Sequence, residues 1–374
     1  MSVNKTGWCR LGNFIEEVSL RVGNNQEIAI SGVNIEKGFI PTVANMTGID
    51  TSKYKLVPTG HFACNLMHVG RDVTIPIAYN QSDDLIAVSP AYYVFTIKAE
   101  MRSSILSEYL EMLLTRTEFG RLAWFHTDGS IRGNLPEKAF HEILIPLPSI
   151  EVQKELVATY NGLKSLAEHN EALVGPLSNA CEALITNCKK TYRCIPIGDS
   201  IEIKDQKNKD DIDYEIYGIN KEKTFMPTHA DTNELDKSKY KIVCKEDFVF
   251  SGMQTGRDVC IRLALYDDTK PIIVSPAYTT FRVINPHVLP KYLFLHFKRQ
   301  EMDRYGWFLS DGSVRSNLDW DRFCEIQIPL PPVEIQESIV NLYNCLEEAK
   351  KIASEARERL KSLCPALIQR AINS

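Results

Sequence analysis

IPLPSIEVQ, residues 145–153, returns as IPLPPVEIQ at residues 328–336, and the architecture follows from that recurrence. In both places the prolines mark a change of structure, because proline cannot continue a preceding element yet tolerates the first turn of a helix. Downstream, Val152, Leu156, Tyr160, Leu163 and Leu166 in one copy, and Ile335, Ile339, Leu342, Tyr343 and Leu346 in the other, keep three-and-four spacing. That spacing is the mark of long amphipathic helices. Residues 150 to 188 as one helix would span about 58 Å at 1.5 Å per residue. Gly175-Pro176 is expected to kink or interrupt this first helix, whereas Pro365 falls near the end of the second. Two apolar stripes in one chain most simply bury each other as an antiparallel coiled pair.

Upstream of each nonapeptide the chain repeats itself. At an offset of 183, Trp124-Phe125 matches Trp307-Phe308, Asp128-Gly129-Ser130 matches Asp311-Gly312-Ser313, and Arg132-x-Asn134-Leu135 matches Arg315-x-Asn317-Leu318. At an offset of 186, Ser52-Lys53-Tyr54-Lys55 matches Ser238-Lys239-Tyr240-Lys241. Gly70-Arg71-Asp72-Val73 matches Gly256-Arg257-Asp258-Val259, and Ser89-Pro90-Ala91-Tyr92 matches Ser275-Pro276-Ala277-Tyr278. Ordered matches at two offsets mean duplication. In each copy the first part, about Trp8 to Ile97 and Tyr192 to Val283, carries short β-like runs punctuated by Gly, Asn and Asp turns. Residues 101 to 120 and 289 to 306 read as helices packed on that sheet. The expected fold class is therefore α+β: two pseudo-symmetric, mostly-β domains (1–148 and 191–331) separated by long helices (149–190 and 332–374) that form an antiparallel coiled-coil spacer.

Composition narrows the function. The longest apolar runs, such as Ile272-Ile273-Val274, fall far short of the roughly 20 residues of a membrane span, and Met1 to Gly7 lacks the pattern of a secretory signal. A cytoplasmic protein is expected. The ten cysteines are scattered without a Cys-x-x-Cys pair and the eight histidines show no paired metal spacing, so the expectation is reduced structural thiols and no metal. A net charge of −5 opposes indiscriminate coating of nucleic acid, which needs an excess of Lys and Arg on one face. There is no amino-methyltransferase box, no phosphate-binding loop and no paired-carboxylate nuclease pattern, so no catalytic motif is expected in this chain.

With its duplicated Ile-Pro-Leu-Pro-x-x-x-x-Gln signature, ending at Gln153 and Gln336, and its paired Gly-Arg-Asp and Ser-Pro-Ala-Tyr boxes, the chain resembles the DNA specificity subunits of type I restriction-modification systems along nearly its whole length. The resemblance implies that each mostly-β domain is a target recognition domain reading one half of a bipartite, asymmetric double-stranded DNA site, with helix length setting the gap. It also implies that the chain is non-catalytic and binds no cofactor of its own. The implied partners are two methyltransferase subunits, which bind S-adenosylmethionine, and optionally motor-nuclease restriction subunits. Two other readings stay open from the residues alone: a recognition module of a restriction-modification enzyme with its own activity, and a protein-binding adaptor that uses no DNA.

Candidate DNA contacts follow from residue chemistry. Arg71 and Arg257 offer planar guanidinium forks to guanine or phosphate, against the alternative of an Arg-Asp pair that fixes a turn. Ser130 with Arg132, and Ser313 with Arg315, combine backbone amides, a hydroxyl and a cation suited to a phosphate. Lys53 and Lys239, with Lys55 and Lys241 beside them, flank a repeated tyrosine and are candidates for backbone contact. Base reading is expected where the copies differ, just before Gly-Arg-Asp, at Asn65, His68, Ser251 and Gln254. Trp124 and Trp307 are expected in the core.

Overall fold

The computed structural model describes residues 7–23, 28–42, 49–67, 69–130, 133–228, 235–253, 258–312 and 316–373, with the backbone alone for 362–373. The chain divides into two compact units: residues 1–169 with 352–374, and residues 170–351. Each unit thus holds one repeat together with half of each long helix.

In the first unit an antiparallel four-stranded sheet runs in the order Ile15–Glu17, Tyr93–Ile97, Phe62–Cys64, Ile77–Tyr79. Successive side chains on a strand point to opposite faces, and both faces here are covered. Phe62, Cys64, Tyr93, Phe95 and Ile97 join the larger core under the helices. Ala63 and Val94 turn the other way, onto Val33, Val57 and Val88 of two small hairpin-like pairs. The second unit repeats the plan with Ile201–Ile203, Thr279–Val283, Asp247–Ser251 and Arg262–Leu265. In both, the first strand of the repeat pairs with the strand that ends in the proline signature: Trp8–Arg10 with Leu144–Pro146, and Cys194–Pro196 with Gln327–Pro329.

The helical segments over the sheet differ from the continuous helices expected at 101–120 and 289–306. The chain breaks into Ser107–Leu114 and Thr117–Phe125 in one copy, and Pro290–Phe297 and Gln300–Leu309 in the other. At each corner stands an arginine with extended backbone, Arg116 (φ −65°, ψ 147°) and Arg299 (φ −82°, ψ 136°). Thr115 folds its hydroxyl back onto the Glu111 carbonyl at 2.8 Å, the local competition by which such side chains end helices. The bend lets both short helices lie on one curved core.

Ile150–Thr191 is a single 42-residue helix that runs through Pro176, so the expected interruption at Gly175-Pro176 does not occur. Both residues are exposed, which leaves the unmade backbone bond facing solvent. On either side of them the helix is held by buried Ala167, Cys181, Ile185 and Cys188. Val333–Asn373 is likewise one helix. In the second unit Ile185 and Cys188 pack with Ile339, while Cys181, a turn earlier, feels Cys345 and Lys350. In the first unit Tyr160 lines a groove with Arg357 and Leu360. Partners advance along one helix as they retreat along the other, so the two run antiparallel.

The signature glutamine proves to be a clamp. Gln153 is fully buried; its Oε1 accepts from Leu106 N at 3.0 Å and its Nε2 donates to the Ser104 and Pro148 carbonyls at 2.9 Å each. Gln336 does the same with Leu289 N, His287 O and Pro331 O. Tyr109 and Tyr292 add matching hydroxyl bonds to the Pro146 and Pro329 carbonyls. One buried side chain thus fixes the start of each long helix to the domain before it.

Candidate nucleic-acid interface

In the first repeat Gly70-Arg71-Asp72 is not a turn but most of a short helix, Val69–Asp72. Val73 follows with φ +54°, and its counterpart Val259 has φ +46°. A β-branched residue in that region is strained, and a strained backbone kept in both copies points to a position that the surroundings over-determine. Arg71, its side chain 65% exposed, donates Nε and Nη2 to the Asp72 carboxylate at 2.8 and 3.2 Å, and that hydrogen bond raises the guanidinium pKa further. In the second repeat Asp258, almost fully buried, pairs with Arg262 and with Lys221. The aspartate is ion-paired in both copies. Arg257 lies outside the described residues.

The structure brings this helix onto the Gly-Ser-x-Arg loop. Gly70 N donates to Gly133 O at 2.8 Å, and a Cβ built on either glycine would stand within 2.7 Å of the other's backbone. Only glycine allows so close an approach. Gly133 also has φ +57°. Within the loop the Asp128 carboxylate accepts from Ser130 N at 2.9 Å and is held below the usual carboxylate range by the Ser130 hydroxyl and amide. Both polar groups of Ser130 that were assigned to a phosphate are therefore engaged in shaping the loop. Arg132, Ser313 and Arg315 lie outside the described residues.

The repeated Ser-Lys-Tyr-Lys segments split by role. Lys55 bonds Glu17 Oε1 and the Tyr92 carbonyl, and Lys241 bonds Asp205 and the Tyr278 carbonyl, so each second lysine braces the domain against the Ser-Pro-Ala-Tyr box. Lys53 and Lys239 sit on single 3-10 turns capped by Asp50 and Asp236. Lys53 is exposed, as is the side chain of Lys239, at 74%, next to Asp236 at 2.9 Å. Among the base-reading candidates, Asn65 uses its Oδ1 to accept from Met67 N at 2.9 Å. Ser251 ends the strand Asp247–Ser251 with 7% exposure, its side chain turned away from solvent. His68 and Gln254 lie outside the described residues.

Two features escaped the sequence. Lys37 and its counterpart Lys223 share left-handed backbone, with φ 70° and 63°. Lys37 donates to the Ile75 carbonyl and burial pushes its amine down to about 8, whereas Lys223 meets Asp303 at 2.6 Å and Cys260 at 3.3 Å. Each ties a hairpin to the strand beyond Gly-Arg-Asp; the shared offset of 186 was the available signal. The tryptophans are the second. Trp124 is 46% and Trp307 55% exposed, which corrects their expected place in the core, and Phe125 and Phe308 beside them reach 80% and 79%. The core face of their helix is taken by Phe119 and Ala123 in one copy and Met302 in the other, so the Trp-Phe pair is left outward.

Among the described residues no helix is long and apolar enough to cross a membrane. Comparison with known proteins adds a family and a fold. Residues 195–361 match the model of the type I restriction modification DNA specificity domain. Over 99% of this chain and 98% of the other, the fold is similar to that of a type I restriction-modification system S subunit from M. genitalium, with 12% identity and a TM-score of 0.58. A looser likeness, with 15% identity and a TM-score of 0.41 over 98% and 97% of the chains, is to the HsdS subunit from Thermoanaerobacter tengcongensis. No curated protein matches. Residues 195–361 thus match the type I restriction modification DNA specificity domain, and the first repeat is built on the same plan.

Proposed function

We propose that this chain is a non-catalytic subunit that reads a split, asymmetric site on double-stranded DNA, one half per repeat, and seats two methyltransferase subunits that bind S-adenosylmethionine. Residues 1–148 and 191–331 are the two readers in this proposal, and the helices of 149–190 and 332–374 set the gap between half-sites. The complex works in the cytoplasm, with motor-nuclease subunits as optional additions. One observation carries the reading. The two repeats build the same frame, with equivalent sheets, equivalent glutamine clamps and equivalent Leu135 N and Leu318 N bonds to the Leu66 and Gly252 carbonyls. Around that shared frame the segments just before Gly-Arg-Asp differ, HFACNLM at 61–67 against DFVFSGM at 247–253. A common frame with divergent inserts suits two sites that differ in sequence but share a backbone.

Within this proposal Arg71, Lys53 and Lys239 serve the DNA backbone, together with Arg257, Ser130, Arg132, Ser313 and Arg315. Base edges fall to Asn65, His68, Gln254 and the neighbourhood of Ser251. The test is to treat DNA with this chain, its cognate methyltransferase subunit and S-adenosylmethionine, then sequence the methylated adenines. A split motif that disappears when this chain is left out is the expected result. Methylation that stays unchanged without the chain would sink the proposal.

A further inference from the structure

The outward Trp-Phe pairs belong to a larger exposed surface. Arg121, Trp124 and Phe125 stand at i, i+3 and i+4 on the helix Thr117–Phe125, and Arg304, Trp307 and Phe308 occupy the same places on Gln300–Leu309. Residues so spaced share one helix face. Leu122 and Tyr305 widen the face, at 37% and 41% exposure, and the Tyr305 and Phe308 rings stack at 6.3 Å. In the second repeat this face borders a groove of about 520 Å³ lined by Cys194, Met302, Arg304, Tyr305, Phe308 and Gln327, among others. In the first repeat Trp8 takes the place of Cys194 in the strand register, and Leu144 that of Gln327. Leu144 is itself 47% exposed. Both repeats therefore present an apolar aromatic surface rimmed by a cation.

Three arguments identify the occupant. First, the two copies keep this surface while their base-reading segments diverge, so whatever binds it is the same at both repeats. Second, exposed Phe and Trp gain by contact with apolar matter; the outside of duplex DNA is anionic and its base faces are stacked away, whereas aromatic and arginine side chains dominate the centres of protein interfaces. Third, the charge is one-sided. Glu118 and Glu301 are turned to Arg116, and to Lys189 and Arg299, while Arg121 keeps its side chain 67% exposed with only a 3.9 Å approach to Glu118. Arg304 is exposed as well. The rim favours a partner with acidic groups around an apolar centre.

We infer that the Arg-x-x-Trp-Phe face of each repeat is a docking site for one protein partner, bound once per repeat. The inference rests on the proposed function, in which the methyltransferase subunit is the protein present in two copies. Self-association through this face is disfavoured, because two such patches on every chain would link chains into open-ended assemblies.

The experiment mixes the full chain with its purified cognate methyltransferase subunit and counts bound copies by native mass spectrometry. Duplex DNA binding by the chain alone is measured in parallel. Wild type is expected to bind two copies, Phe125→Asp and Phe308→Asp one each, and the double variant none, each lost copy reflecting an affinity drop of about thirty-fold or more, as for an aromatic at an interface centre. Both phenylalanines are about four-fifths exposed, so the fold should persist, and an unchanged thermal melt checks that. Arg121→Glu with Arg304→Glu gives a second route to the same loss. Partner binding should also shift the emission of Trp124 and Trp307 to the blue. A double variant that still binds two copies overturns the surface and leaves the proposed function intact. A double variant that keeps its partners but loses duplex binding overturns it in favour of a DNA contact. A wild-type chain that binds no methyltransferase overturns the partner assignment and this inference with it.

Discussion

At the scale of single residues the duplication acts as an internal control, since each buried polar group can be set against what the other repeat places there. His296 is fully buried, and neither ring nitrogen has a hydrogen-bond partner. The ring of Tyr292 meets it edge-on at 4.8 Å. Burial, aided by Arg299 and Lys189, pushes its pKa down to about 3, against an ordinary value of about 6.5 in the unfolded chain. Between those values the unfolded chain takes up a proton that the folded one refuses, so stability falls as pH drops below about 6.5, by up to about 1.4 kcal/mol per pH unit. The first repeat has Leu113 at the equivalent position, 2% exposed. His296→Leu should therefore remove this part of the acid sensitivity. Urea midpoints of variant and wild type from pH 7 to pH 4.5 should diverge as pH falls; parallel curves would show that His296 titrates normally.

At the scale of elements, the helix starts depend on the two glutamine clamps more than on capping or propensity. Each clamp satisfies one buried amide and two carbonyls at once, and replacing the side chain with an isosteric apolar one strands all three. An unsatisfied buried backbone group costs about 1–3 kcal/mol, so Gln153→Leu or Gln336→Leu should lower stability by about 3 kcal/mol, measured by denaturant unfolding. A change below about 1 kcal/mol would mean that the backbone finds other partners. The clamp was legible as a repeated Gln after Ile-Pro-Leu-Pro, but its role was not, because two of the three groups each one binds lie nearly fifty positions earlier in the chain.

At the scale of the whole molecule the proposed function makes the helices a ruler. The central helix has 42 residues, about 63 Å at 1.5 Å per residue. Adding seven residues to both long helices keeps the apolar stripes in phase and lengthens the spacer by about 10 Å. With base pairs about 3.4 Å apart, the methylated motif should gain about three unspecified bases between unchanged half-sites. Methylome sequencing of the lengthened chain checks this. A motif with its original gap would separate helix length from site spacing.

The sequence by itself determined the duplication, the α+β composition of each repeat and the two long helices. These are properties of residue order and periodicity, and a repeat offset or a three-and-four spacing does not depend on what packs where. The tertiary structure decided the rest. The corners at Arg116 and Arg299 exist because the core beneath them is curved, and Pro176 stays inside a helix because buried neighbours on both sides hold it there. Gly70 and Gly133 meet although more than sixty residues separate them. Trp124 and Trp307 read as core because large aromatic residues are usually well buried. Which face of a short helix points inward is fixed by the neighbouring layer, and here that layer was already filled by Phe119 and Met302.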